Sequence, residues 1–321
     1  MSGLGHLPRV TALGGGHGLS ASLTALRRLT DQLTAVVTVA DDGGSSGRIR
    51  EEFGGLPPGD LRMALAALCG DDHSGRTWAQ ILQTRFPGDG PLGGHAIGNL
   101  LIVGIWQRLG NSVAGLDMVG ELLNSRGRVL PMSTVPLGIE AEVLGLDPVS
   151  PDEACTLAGQ ATIAKTRGQV QRVSLVPADA PACPEAVAAI EASDYVVLGP
   201  GSWFTSVMPH LLVPDLCRAI TGTSARRILA LNLRPADETA GYNASRHLEL
   251  LAEHAPTLRL DVVIADATSA QADKHLPAFA ESLGARLVVA DVAMRDGSPR
   301  HDPLRLASAF QDAMAVADAS R

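Results

Sequence analysis

In VTVADDGGSSGR, two adjacent carboxylates, Asp41 and Asp42, precede Gly43, Gly44, Ser45, Ser46, Gly47 and Arg48. Residues this small leave backbone N–H groups open to an anion, and the hydroxyls and the guanidinium add donors. Carboxylates repel phosphate, so the acid pair needs another partner. One acid can take ribose hydroxyls while the loop beyond it takes the phosphate. Asp41 lies 23 residues beyond Gly18, close to where the second strand of a dinucleotide fold presents its acid. Alternatively, Asp41 or Asp42 holds a Mg²⁺ that bridges phosphate oxygens, or the pair is a solvated Asp-Gly turn.

GGGHGLS supplies a second cluster, Gly14, Gly15, Gly16, His17 and Gly18. A strand that turns sharply into a helix points its amides outward, and the helix dipole favours negative charge there. Neither common phosphate fingerprint fits: position 19 of G-x-G-x-x-G is Leu, and no Gly-Lys-Ser/Thr follows. GPGSWFTS repeats the design with Gly199, Pro200 and Gly201, then Ser202, Thr205 and Ser206 as hydroxyl donors. In GGHAIGN, His95 and Asn99 share a face if the segment is helical, where they bond a ligand or each other. Arg126 and Arg128 alternate onto one strand face, suiting either a diphosphate or a solvated edge. No catalytic set emerges. Ser202 is outside any G-x-S-x-G, HExxH is absent, and Asp71 and Asp72 read as an acidic helix end.

These turns need strands to carry them. VTAL, the Leu19/Leu23/Leu26/Leu29 stripe and LTAVVTVA form a strand, a helix and a second strand, which makes the strands parallel. YVVL, RRILALNL, RLDVVIAD and RLVVADV read as further buried parallel strands. The expected fold class is α/β, a Rossmann-like three-layer αβα sandwich with a mostly parallel sheet. A single domain is expected over residues 1–321, with a helical excursion over about 57–120 in which Asp60 caps a helix. RGRVLP and IEAEVLG look like strands, arranged as a hairpin. Carboxyl ends of parallel strands line one crevice, so three glycine turns there reinforce one another.

The net charge is −8 and aromatics make up 3% of the chain, with no block of Lys or Arg. That excludes the usual footprints of nucleic acid and anionic lipid. The four cysteines form no CxxC pair, so reduced thiols are expected. No long apolar run suggests a membrane span, and MSGLGHLPRVTAL lacks a signal-peptide pattern. A cytoplasmic location is the expectation.

GGGHGLS, VTVADDGGSSGRIREEFGGLPPGDLRMAL, GGHAIGN, RGRVLP and LGPGSWFTSVMPHLLV together resemble the YvcK branch of the CofD-like superfamily, the gluconeogenesis factors. The resemblance covers most of the chain. It implies a Rossmann-like cytoplasmic protein that binds UDP-N-acetylglucosamine and serves cell-wall precursor supply and cell shape. It also implies a homodimer, no required cofactor and a downstream partner that it does not specify. On this chain it places ligand contacts at Tyr242 in GYNASRH and Arg300 in RHDP, although a core aromatic and a surface arginine explain them too. The superfamily's other branch, the phospholactyl transferases, carries N-T-G-D-D and a Pro-Asp-x-Asp-Thr region where this chain has A-D-D-G-G-S-S-G-R and P-P-G-D-L-R. Two alternatives to a ligand-binding regulator stay open: a Mg²⁺-assisted phosphoryl-group transferase of the 2-phospho-L-lactate type, and an NAD-binding oxidoreductase. The second suffers from the broken fingerprint.

Overall fold

The computed structural model describes residues 7–147 and 149–319. Residues 1–6, part of the segment read for a signal peptide, lie outside the described residues. Among the described residues, ten strands occur in chain order: β1 (Val10–Gly14), β2 (Leu33–Val37), β3 (Arg128–Pro131), β4 (Gly138–Leu144), β5 (Cys155–Ala158), β6 (Gln169–Val176), β7 (Tyr195–Leu198), β8 (Arg226–Ala230), β9 (Val262–Asp266) and β10 (Arg286–Ala290). Seven pair in parallel in the order β10-β9-β8-β7-β1-β2-β3. β1, β7 and β9 are buried along their whole length, as both-face coverage by helices requires. The chain runs outward from β1 to β3 and then returns to β7 on the other side of β1. The sheet therefore reverses direction between β1 and β7, where open α/β sheets leave a crevice.

Register sets the height of that crevice. Gly14 stands opposite Val37, and Leu13 opposite Leu198. The turns that follow β1, β2 and β7 thus leave the sheet at nearly one level.

Helices α1 (Gly16–Leu26) and α2 (Gly44–Phe53) follow the first two turns. The expected helical stretch contains α3 (Gly59–Leu68), α4 (His73–Gln83), α5 (Ile97–Leu109) and α6 (Ser112–Leu122), with α3 packed on α1. Later helices include Pro184–Glu191, Ala244–His254 and Pro303–Asp318. Among the described residues, no helix is long and apolar enough to cross a membrane.

The expected hairpin is not formed. β3 ends the parallel sheet beside β2, whereas β4 belongs to a separate antiparallel sheet ordered β5-β4-β6. β4 alternates buried with more exposed side chains, the two-residue period of a sheet with one covered face. Arg128 lies at the amino end of β3, opposite Thr34, and its guanidinium pairs with Asp117 at 2.8 Å. The glycine turns are at the other end of the sheet, so Arg128 is an edge-strand ion pair and takes no part in the crevice.

Candidate functional site

The first and third turns touch through their backbones. A Cβ added at Gly18 would land on the Pro200 carbonyl and against Gly201, so only glycine permits this approach. Ser22 Oγ donates to the Gly199 carbonyl at 2.8 Å, fastening α1 to the same turn. A Cβ at Gly15 would sit 2.5 Å from Asp60 Oδ2 and 3.3 Å from Ser206 Oγ. The second turn reaches the same place through α3, because a Cβ at Gly59 would meet Asp41 Oδ2 at 2.7 Å. Gly14, Gly15, Gly16 and Gly18, the Asp41–Gly44 turn, and Gly199, Pro200 and Gly201 therefore share one rim.

Asp60 lies at the centre of this contact. It is not the helix cap expected from sequence: Pro58 holds that position, and Asp60 lies within the first turn of α3. Its carboxylate turns back to accept from Thr38 Oγ1 at 3.1 Å. Burial, and then the negative charge of Asp41, push its carboxyl up to about 7. The Thr38 hydroxyl, the Gly16 amide and Arg62 pull the other way without cancelling those effects.

The second turn is a helix start, not an extended loop. Asp41 Oδ1 accepts from the Gly43 amide at 2.9 Å, a local turn that sets up α2. Ser45 Oγ accepts from Asn99 Nδ2 at 3.0 Å and the Ala96 amide at 3.3 Å, so its own proton goes to His95 Nδ1 at 3.0 Å. Burial and nearby Arg48 hold His95 below its ordinary value, in keeping with a neutral ring that accepts at Nδ1. Of the two outcomes weighed from sequence, His95 and Asn99 take internal bonding, through a shared Ser45. Ser46 is also buried. Arg48 donates to the Gly93 carbonyl at 2.8 Å, and Asp42 Oδ1 accepts from the Ala161 amide at 2.9 Å. Among the described residues, no group of three or more His, Cys, Asp or Glu side chains is placed to hold a metal.

The third turn runs into a π-helical segment, Trp203–Val207. Such segments recur at functional sites because they break regular helix pairing. Its hydroxyls turn inward. Ser202 Oγ meets Thr205 Oγ1 and donates to Glu238 Oε1 at 2.5 Å, while the Phe204 amide donates to the same oxygen at 3.1 Å. Thr205 and Ser206 are buried. Asn232, just beyond β8, grips Gly201 twice: it accepts from the Gly201 amide at 2.8 Å and donates to the Gly201 carbonyl at 2.6 Å.

A groove of about 500 Å³ opens over the first and third turns, lined by His17, Gly18, Pro200, Gly201, Ser202 and Arg300 among others, while the Asp41–Gly44 turn lies outside its lining. Arg300 is well exposed, with Asp296 at 3.6 Å and Ser298 Oγ accepting from its Nε at 3.3 Å. Tyr242 lies outside the groove. It is buried edge-on to Phe204 and His247, and its hydroxyl donates to the Val170 carbonyl at 2.9 Å. It lines a smaller slot of about 230 Å³ that shares Asn232, Arg234 and Pro235 with the groove.

A family model described as 2-phospho-L-lactate transferase CofD matches residues 10–298. A gluconeogenesis factor from Listeria monocytogenes is 33% identical over 94% of each chain. The chain is a YvcK-type member of the CofD family. A Mycobacterium tuberculosis protein that provisionally bears the gluconeogenesis-factor name is 54% identical, over 93% of this chain and 88% of its own. The crystal structure of a UPF0052-family protein from Bacillus halodurans superposes with a TM-score of 0.84 at 33% identity, covering 95% of this chain and 99% of that one.

In this CofD-family chain, sequence reasoning missed Thr38, Asn232 and Glu238, and it misassigned Asp60. The polar Asn232 directly after the apolar RRILAL run was a usable signal; nothing local marked Glu238. Glu238 is almost fully buried, and burial pushes its carboxyl up. Glu238→Ala is expected to cost roughly 2–4 kcal/mol, because the Phe204 amide and Ser202 hydroxyl lose their acceptor and a void opens. Glu238→Gln keeps an acceptor oxygen and should recover much of that loss in urea unfolding. Equal losses in the two variants would remove Glu238 as the acceptor that holds this turn.

Proposed function

We propose that this CofD-family chain is a nucleotide-sugar-binding regulator whose ligand is UDP-N-acetylglucosamine. One observation carries the reading: three glycine turns converge on one rim at the point where the sheet reverses. Amides there suit a diphosphate, and Asp41 stands beside them for sugar hydroxyls. The gluconeogenesis-factor name of the relatives supports a role in carbon metabolism; a cytoplasmic homodimer tied to cell-wall precursor supply and cell shape is part of the same proposal. UDP-N-acetylglucosamine at 100 times its Kd is expected to raise unfolding stability by about 2.7 kcal/mol. A melting curve that stays put across a wide titration would sink the reading.

Arg300→Ala is expected to weaken UDP-N-acetylglucosamine binding about fivefold by calorimetry, the scale of an exposed charge contact. Tyr242→Ala is a poorer probe than the sequence suggests, since it also carves a hole in the core. Tyr242→Phe removes only the hydroxyl.

The match to a transferase model favours a second reading, phosphoryl-group transfer. Asp41, beside Asp60, would hold a Mg²⁺ against the phosphates, whereas Asp42 is engaged by Ala161. Turnover of a phospholactyl donor that disappears in Asp41→Asn would support it.

A further inference from the structure

The groove and the slot meet at a shared wall, and the side chains there differ in how far their bonding capacity is used. Arg300, on the groove, is drawn towards Asp296 and Ser298. Arg234 borders both cavities, is exposed, and among the described residues makes neither a hydrogen bond nor an ion pair. It stands two residues beyond Asn232, whose double grip on Gly201 fixes the end of β8 against the third glycine turn. An unpaired guanidinium anchored beside a turn rich in amides is suited to a planar, two-pronged contact with phosphate.

The slot has the opposite character. Most of its polar groups are committed, the Tyr242 hydroxyl to Val170, Ser269 Oγ to the Leu233 carbonyl and the Asn243 side chain to the Arg246 amide, whereas the buried His247 Nε2 has no partner and can meet a polar edge of a base. Asp273 accepts from the Ser245 amide at 2.7 Å and the His275 amide at 3.1 Å, and those bonds hold its carboxyl below the usual range despite burial. A fixed negative charge there repels phosphate, and a sugar would find few partners for its hydroxyls. A flat, uncharged ring with aromatic edges around it fits better.

We infer that Arg234 is the principal phosphate-binding cation of this chain, with the diphosphate held between it and the amides of the first and third glycine turns, the nucleobase in the slot and the sugar further along the groove. The inference rests on the UDP-sugar reading and adds the direction in which the ligand lies. It also ranks Arg234 above Arg300, whose guanidinium already faces Asp296 and Ser298.

Titration calorimetry with uridine, UMP, UDP, UDP-N-acetylglucosamine and N-acetylglucosamine-1-phosphate tests it on wild type, Arg234→Gln and Ala272→Phe. Arg234→Gln should weaken UDP and UDP-N-acetylglucosamine on the order of 30-fold, the scale of a charge-assisted phosphate contact, and leave uridine unchanged. Ala272→Phe, placed at the slot wall, should weaken every uridine ligand and spare N-acetylglucosamine-1-phosphate. UDP binding that survives Arg234→Gln, or uridine binding that survives Ala272→Phe, overturns the inference while the UDP-sugar reading stands. Failure of wild type to bind any uridine phosphate overturns both.

Discussion

Gly18→Ala is expected to destabilise the protein by about 2–4 kcal/mol and to abolish ligand binding at accessible concentrations. The added methyl meets the Pro200 carbonyl and Gly201 Cα, backbone on both sides, so no side chain can swing away. The first and third turns must separate, and Ser22 then loses its bond to Gly199. Gly104→Ala is the matched control. It lies in the middle of α5, exposed, with nothing within 4 Å of the new methyl. Its helix should gain up to about 1 kcal/mol. Urea unfolding of both variants checks the pair. A Gly18→Ala as stable as wild type would mean that the two turns are not pressed together.

Asp60→Asn is expected to make the ligand-free protein more stable at pH 8, by roughly 2–4 kcal/mol. The carboxyl of Asp60 has its folded value pushed up to about 7. The unfolded chain releases the same proton near pH 4, so between those limits the folded state binds a proton that the unfolded state does not. This contribution is fully present below about pH 4 and is lost as the pH rises through about 7. Above that, wild type buries a charge next to Asp41. Asparagine has no charge to bury: its oxygen can accept from the Gly16 amide and its Nδ2 can donate to the Thr38 hydroxyl. Unfolding free energies at pH 4, 6 and 8 should therefore converge for the two proteins in acid and separate in base. Parallel curves would place the titration elsewhere.

The strands and turns were legible in the sequence because their causes are local. Unbroken runs such as YVVL and VVIAD declare burial on both faces, and glycine clusters at their ends declare sharp exits. Side-chain direction was not legible. Ser45, Ser202 and Thr205 read as donors aimed at a ligand, yet Ser45 bonds His95 and Asn99, 50 and 54 residues away, and Ser202 bonds Glu238, 36 residues away. No local pattern encodes those partners. Asp60 shows the same limit: at a helix start it looks like a cap, and only the fold brings Thr38 to it. β3 and β4, adjacent in sequence, suggested a hairpin because nothing local reports that the crossing from β2 had already claimed β3.

The small antiparallel sheet is fastened to both walls of the crevice. Ala161, between β5 and β6, donates its amide to Asp42 at one wall, and Val170 of β6 receives the Tyr242 hydroxyl at the other. It works as a yoke. A ligand that fills the crevice is therefore expected to change amide exchange in β6, through those two bonds.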